Sequence, residues 1–191
     1  MVDHLEKALT LKPDFAEAHN NLGIALKSLG QLDAAVISYQ KAIAIKPDYA
    51  EAHNNLGNVF KDLGQLDDAV QSFQKALAIN PNYPTLHNNL GIAFKELGQL
   101  DKAVKCYKKA LIINPDFHDS HNNLGVVFNE LGQKDEAVKS FKRAIAINPN
   151  YAEAYNNLGT ALKDLGQLDD AILAYEKALS INPDYTDSYN N

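Results

Sequence analysis

The sequence predicts an all-α solenoid of tandem 34-residue helix-turn-helix units. Three observations carry that reading. Prolines stand at Pro13, Pro47, Pro81, Pro115, Pro149 and Pro183, each 34 residues after the last, and only Pro84 falls outside the series. The ten glycines form two series with the same period: Gly23, Gly57, Gly91, Gly125 and Gly159, then Gly30, Gly64, Gly98, Gly132 and Gly166. Within every period two apolar stripes recur at helical spacing, and a fixed period of this length is the mark of a repeat architecture.

A unit beginning at Ala16 divides the chain into repeats 16–49, 50–83, 84–117, 118–151 and 152–185, flanked by partial repeats 1–15 and 186–191. All 191 residues then read as one array, expected to belong to a longer one. The first helix of a repeat, helix A, is expected to start with an acidic cap, Asp48 with Glu51 three residues on, approximating a capping box. The pattern recurs at Asp14–Glu17, Asp116–Asp119, Asn150–Glu153 and Asp184–Asp187, and Pro84 is tolerated in a first turn. Helix A should run to about Leu63 and stop at Gly64 in a left-handed C-cap. Helix B should open near Gln65, with Asp67 and Asp68 at its positive end, and close at Asn80 and Pro81. On a helical wheel Ala52, Leu56, Val59, Phe60 and Leu63 share one side of helix A, opposite Glu51, Asn54, Asn55, Asn58, Lys61 and Asp62. Helix B has the stripe Leu66, Ala69, Val70, Phe73, Ala76, Leu77 and Ile79. Gly57 and Ala69 are small enough for the two helices to approach, and Ala76 admits the next helix A. A unit this short cannot bury enough apolar surface alone, so the hairpins must stack.

Composition narrows the function. Hydrophobic residues make up 46% and charged residues 22%, as in a folded chain. The net charge of -6 is spread along the sequence, against the clustered basic face that nucleic acid requires. Cys106 is the single cysteine, so no internal disulfide can form. No apolar run reaches the ~20 residues of a membrane span, and the start lacks a signal-peptide core. A cytoplasmic protein without membrane contact is expected.

The anchors Leu56, Gly57, Ala69, Phe73, Ala76 and Pro81, with equivalents in all five units, resemble the tetratricopeptide repeat family. The early aromatic position departs from that family's pattern, with His19, His53, His87 and His121 followed by Tyr155 and Tyr189. Lys134 also departs, standing where other units have Leu32, Leu66, Leu100 and Leu168, and is expected to loosen packing locally. Within the family the phrasing is similar to the array of O-linked N-acetylglucosamine transferase and its prokaryotic relatives. That resemblance implies a right-handed superhelix with helix A lining the concave surface and an asparagine ladder along it, at Asn21, Asn55, Asn89, Asn123, Asn157 and Asn191. It does not carry catalysis, since no transferase domain is present. It also argues against a carboxylate clamp of the kind that holds chaperone tails, because the corresponding positions are Glu17, Glu51, Thr85, Asp119 and Glu153, followed by asparagine in every unit.

The candidate site is that asparagine pair. Asparagine is a poor helix former, so its recurrence asks for a reason. A carboxamide offers an acceptor and two donors, and can pair with both the N–H and the C=O of a guest main chain. The peptide-binding candidates are therefore Asn21, Asn55, Asn89, Asn123 and Asn157, with the preceding Asn20, Asn54, Asn88, Asn122 and Asn156. Bonding between neighbouring helices is the competing role for both rows. Ile24, Asn58, Ile92 and Val126, with Thr160, lie centrally on the same face; the core does not need apolar residues there, so they are candidates to receive guest side chains. Lys27, Lys61, Lys95 and Lys163 beside Asp62, Glu96, Glu130 and Asp164 read as a solvated, salt-bridged face. The periodic histidines suit packing better than metal, because ligation needs three or four groups within ~2.1 Å of one ion. No catalytic motif, cofactor site or metal site is expected. The leading function is a scaffold binding extended segments of partner proteins. The alternatives are a substrate-targeting arm of a larger enzyme, such as a glycosyltransferase or sulfotransferase, and a self-associating module, end to end or lateral, through the flank near Ala178 and Leu179.

Overall fold

The computed structural model describes residues 2–183 and contains, among them, eleven α-helices and no strand. The A helices are α2 (Ala16–Ser28), α4 (Ala50–Asp62), α6 (Pro84–Glu96), α8 (His118–Glu130) and α10 (Ala152–Asp164). The B helices are α1 (Val2–Leu11), α3 (Leu32–Ile45), α5 (Leu66–Ile79), α7 (Leu100–Ile113), α9 (Lys134–Ile147) and α11 (Leu168–Ile181).

The turns follow from a few residues. Gly64 has φ of 74°, a conformation that costs a residue with a Cβ about 1–2 kcal/mol. It lets Gly64 N–H reach Lys61 O at 2.9 Å and Gln65 N–H reach Phe60 O at 2.8 Å, satisfying carbonyls that end α4. Helix B ends as Asn80 turns extended, at φ -130° and ψ 85°, ahead of Pro81. The helix starts differ from the capping-box expectation. The N-cap residues of the A helices are Phe15, Tyr49, Tyr83, Phe117 and Tyr151, and none makes a side-chain cap bond. Asp14, Asp48, Asp116 and Asn150 each sit one residue too early, because the chain still has to turn after the proline. The Asp184–Asp187 pair lies outside the described residues.

The chain divides into two compact units, Met1–Leu97 and Gly98–Asn191. In the first, α1 to α6 pack consecutively, and the A helices also touch directly, α2 to α4 and α4 to α6. In the second, α8 packs on α7 and α9, α10 on α9 and α11, and α8 meets α10. Within the two units, the core of the hairpins α2–α3, α4–α5, α8–α9 and α10–α11 is an aromatic ring of helix B laid against a glycine of helix A. A Cβ on Gly57 would stand 2.7 Å from the Phe73 ring, and one on Gly125 would stand 2.6 Å from Phe141. Phe73, Ala69 and Ala76 are fully enclosed, so no spare volume surrounds the ring. The helix-B stripe is narrower than the wheel suggests, since Ile79 remains 39% exposed.

Lys134 does not loosen its repeat. α9 starts at Lys134 itself, Ala137 and Phe141 stay buried, and the Lys134 ammonium bridges Asn129 Oδ1 at 2.9 Å and the Asp164 carboxylate. Its stem covers the helix start while the charge finds partners on α8 and α10. On α11, Ala178 is completely buried and Leu179 half-buried, so the flank near them is partly covered.

Two outcomes follow from this packing. Gly57→Ala should destabilise by about 1–3 kcal/mol because the Phe73 ring must move, and Gly64→Ala by about 1–2 kcal/mol through backbone strain; both are read from the urea midpoint, with the helical circular dichroism signal kept. Cys106 is buried, and burial pushes its thiol up to about 11, Lys109 partly opposing this. At pH 8 the folded chain should therefore react with a disulfide reagent at least about tenfold more slowly than the urea-unfolded chain; equal rates would contradict the burial.

Candidate peptide-binding face

The two asparagines of each repeat occupy different surroundings. The first of the pair turns toward the neighbouring A helix. Asn20 and Asn122 are fully enclosed, Asn88 and Asn156 nearly so, and Asn54 is half-buried. As they stand, Asn20 and Asn122 face a helix-helix seam, not the open face on which the wheel places them. The reason is the direct approach of consecutive A helices, which covers that flank.

The second asparagine reaches back across the seam. Asn55 Nδ2 donates to Asn20 Oδ1 at 3.0 Å, Asn89 Nδ2 to Asn54 Oδ1 at 2.9 Å, and Asn157 Nδ2 to Asn122 Oδ1 at 3.1 Å. The enclosed amide then donates onward to the first-turn carboxylate of the next A helix. Asn20 Nδ2 meets Glu51 Oε1 at 3.2 Å, and Asn122 Nδ2 meets Glu153 Oε1 at 2.9 Å. Removing one member would strand a buried polar group, at a cost of about 1–3 kcal/mol. The asparagine ladder is therefore, in its first row, a bond between repeats.

The second row remains accessible. Asn21 is exposed, and Asn55, Asn89, Asn123 and Asn157 are half-buried. The seam bond of Asn55 or Asn89 uses one N–H of the carboxamide, leaving the second N–H and the oxygen for a guest. Beside this row Ile24 is 42% exposed, and Asn58, Ile92, Val126 and Thr160 are half-buried. Thr160 is partly engaged, donating to Asn156 O at 3.1 Å and accepting from Tyr175 Oη at 3.2 Å. At the rim Lys27 pairs with Asp62 of the next A helix at 3.0 Å, as a salt-bridged face requires. Asn191 lies outside the described residues.

The periodic histidines have a local task. His19, His53, His87 and His121 direct Nε2 at the carbonyls of Pro13, Pro47, Pro81 and Pro115, at 2.9–3.0 Å. A carbonyl only accepts, so Nε2 carries the proton, and the ring ties helix A to the turn before it. Burial holds His121 below its usual pKa, keeping it neutral. Tyr155 succeeds these rings in the fifth repeat, and Tyr189 lies outside the described residues. No group of three or more His, Cys, Asp or Glu able to hold a metal ion occurs among the described residues. No described helix is long and apolar enough to cross a membrane.

Sequence reasoning missed the aromatic N-caps as site elements. Burial, then the Glu51 and Glu17 carboxylates, raise Tyr49 above its usual pKa, while a hydrogen bond with Asn20 works the other way. Burial and the Glu153 and Asp119 carboxylates likewise raise Tyr151, whose hydroxyl donates to Asp119 Oδ1 at 3.1 Å. Both phenols stay protonated and brace the seam. The signal was present in the sequence as an aromatic residue before every A helix.

Known proteins place this geometry. No curated protein matches the chain by sequence. Among solved structures, MamA aligns with a TM-score of 0.77 at 25% identity, over 86% of this chain and 96% of its own. TTC0263, a thermophilic TPR protein of Thermus thermophilus, aligns with a TM-score of 0.75 at 28% identity, over 92% and 96%. YrrB, described as a TPR protein with an unusual peptide-binding site, has a TM-score of 0.75 over 100% and 98%. At 24% identity, its likeness is one of fold. The model for the TPR repeat matches residues 25–64, 57–98 and 127–166, and models for the tetratricopeptide repeat match 84–117, 152–185, 4–37 and 106–139. With stacked helix pairs in both units and repeat matches running from residue 4 to residue 185, the chain belongs to the tetratricopeptide repeat family.

Proposed function

We propose that the helix-A face binds extended segments of partner proteins through their main chain. The supporting observation is that Asn55, Asn89 and Asn157 are each held by one N–H while keeping an acceptor and a donor on the open face. Asn21, Asn55, Asn89, Asn123 and Asn157 are the proposed main-chain contacts. Ile24, Asn58, Ile92 and Val126 supply the surface for guest side chains. Asn20, Asn54 and Asn122 act behind them by fixing Asn55, Asn89 and Asn157, and Asn88 and Asn156 belong to the same row. Each amide bond contributes only about 0.5–1.5 kcal/mol, so affinity comes from several in register. The row reads backbone, and specificity falls to the side chains around it. In this reading the chain carries no catalysis, and its one thiol is buried and held protonated.

Random peptides displayed on phage and selected on the full chain test the reading. Asn21 is exposed and makes no hydrogen bond within the described residues. Asn21→Ala combined with Ile24→Ser should weaken the selected peptides by about tenfold, the loss of one to two such contacts, at an unchanged melting temperature. Asn55→Ala should lower both affinity and stability, because it also strips Asn20 of its donor. Selected peptides that bind both variants as tightly as the parent chain would overturn the proposal.

A further inference from the structure

One seam in the first unit differs from the seam before it, and the earlier seam shows what its cavity could hold. At the junction of the first and second repeats, Lys46 Nζ lies 5.0 Å from the Tyr49 ring centroid and 3.9 Å from Glu17 Oε1. One repeat earlier, Lys12 Nζ lies 4.7 Å from the Phe15 ring in the same way. A cation over the aromatic N-cap is thus a recurring arrangement. Thirty-four residues on, Tyr83 replaces Tyr49 and Glu51 replaces Glu17, but the lysine of the first two periods, Lys12 and Lys46, gives way to Asn80, as it does to Asn114, Asn148 and Asn182 later in the chain.

Asn80 is too short to span this gap. A 350 Å³ cavity opens there, lined by Tyr49, Glu51, Asn54, Asn80, Tyr83 and Leu86. Tyr83 is 48% exposed, and its hydroxyl has no partner among the described residues. No lysine or arginine of the described residues pairs with Glu51. A second substitution widens the gap. The carboxylate that would accept from Asn54, as Glu51 accepts from Asn20, is replaced by Thr85, and Asn54 Nδ2 donates to no described residue. In the second unit the equivalent carboxylate is engaged. Asp119 accepts from Tyr151 Oη at 3.1 Å and lies 3.7 Å from His118 Nε2, and the His118 ring meets Tyr151 edge-on at 5.2 Å.

We propose that this cavity is a subsite for a lysine or arginine side chain of a partner polypeptide, taking the place that Lys46 fills one repeat earlier. The cation sits over the Tyr83 ring and pairs with Glu51. The aliphatic stem lies against Leu86 and Tyr49, and Asn54 Nδ2 donates to a carbonyl of the guest main chain. The overall charge of -6 favours the approach of a basic segment. The proposal rests on the partner-binding reading above and gives it a side-chain preference.

The test is an amide NMR titration of the full chain with acetyl-Gly-Lys-Gly-amide, its arginine counterpart, and acetyl-Gly-norleucine-Gly-amide, which keeps the stem without the charge. The basic peptides should shift the amides of Glu51, Asn54 and Tyr83 at millimolar concentrations, and the norleucine peptide should not. Asn80→Lys fills the cavity from within, and Glu51→Gln removes the charge while still accepting from Asn20. Each should weaken the basic peptides by about fivefold or more, the factor that an ion pair and a cation–π contact carry together, with melting temperature unchanged or raised for Asn80→Lys. Equal binding of the norleucine peptide, or basic peptides indifferent to Asn80→Lys, would overturn the subsite. If the phage-selected peptides still lose affinity on Asn21→Ala with Ile24→Ser in that case, the groove reading stands and only the cation subsite falls.

Discussion

Four hairpins of the chain depend on one contact, between a helix-B ring and a helix-A glycine. Phe73 occupies the space that a side chain on Gly57 would need, and the same replacement is made by Tyr39 on Gly23, Phe141 on Gly125 and Tyr175 on Gly159. The backbone of helix A becomes the floor on which the ring lies. That brings the helices close enough for Ala69 and Ala76 to be wholly enclosed. Once helix B is seated, the turn at Gly64 and the extended break at Asn80 direct the chain into the next A helix. Stability then comes from repeated nearest-neighbour seams.

The seams between A helices explain the asparagines. A carboxamide is an unfavourable helix residue, yet two successive ones recur because each does a separate job. At Asn20 and Asn122 the first is buried and bonded on both sides, from the second asparagine of the next repeat and to its first-turn carboxylate. The second is the donor of that bond and the surface facing outward. In the proposed reading, scaffold stiffening and guest recognition are two ends of one hydrogen-bonded chain. A face held in this way is preorganised, and its amides do not have to be ordered by the guest.

Uniform repeats make their exceptions informative. Lys134 replaces a leucine without damage because its ammonium has Asn129 and Asp164 within reach. Thr85 replaces an acid with nothing among the described residues to compensate, and beside it Asn80 follows the lysines of the first two periods and lines a cavity. The difference is whether a neighbouring helix can supply the missing partner.

The sequence by itself determined the helices, their limits to within a residue or two, and the hairpin pairing. These depend on local backbone rules, proline and glycine placement, and amphipathic spacing, all of which repeat without reference to distant residues. The close approach of the two helices at Gly57 was legible for the same reason, while the structure showed that the Phe73 ring is what lies there. The tertiary structure alone decided which asparagine of each pair is enclosed. A helical wheel places both Asn20 and Asn21 on a polar flank, and only the direct packing of α2 on α4 covers one and leaves the other open. It also decided the aromatic N-caps, because the residue that ends the turn after each proline depends on how the next helix docks. The Tyr83 cavity belongs with these. Its walls come from the start of α4, the end of α5 and the start of α6, so no single stretch of chain contains it.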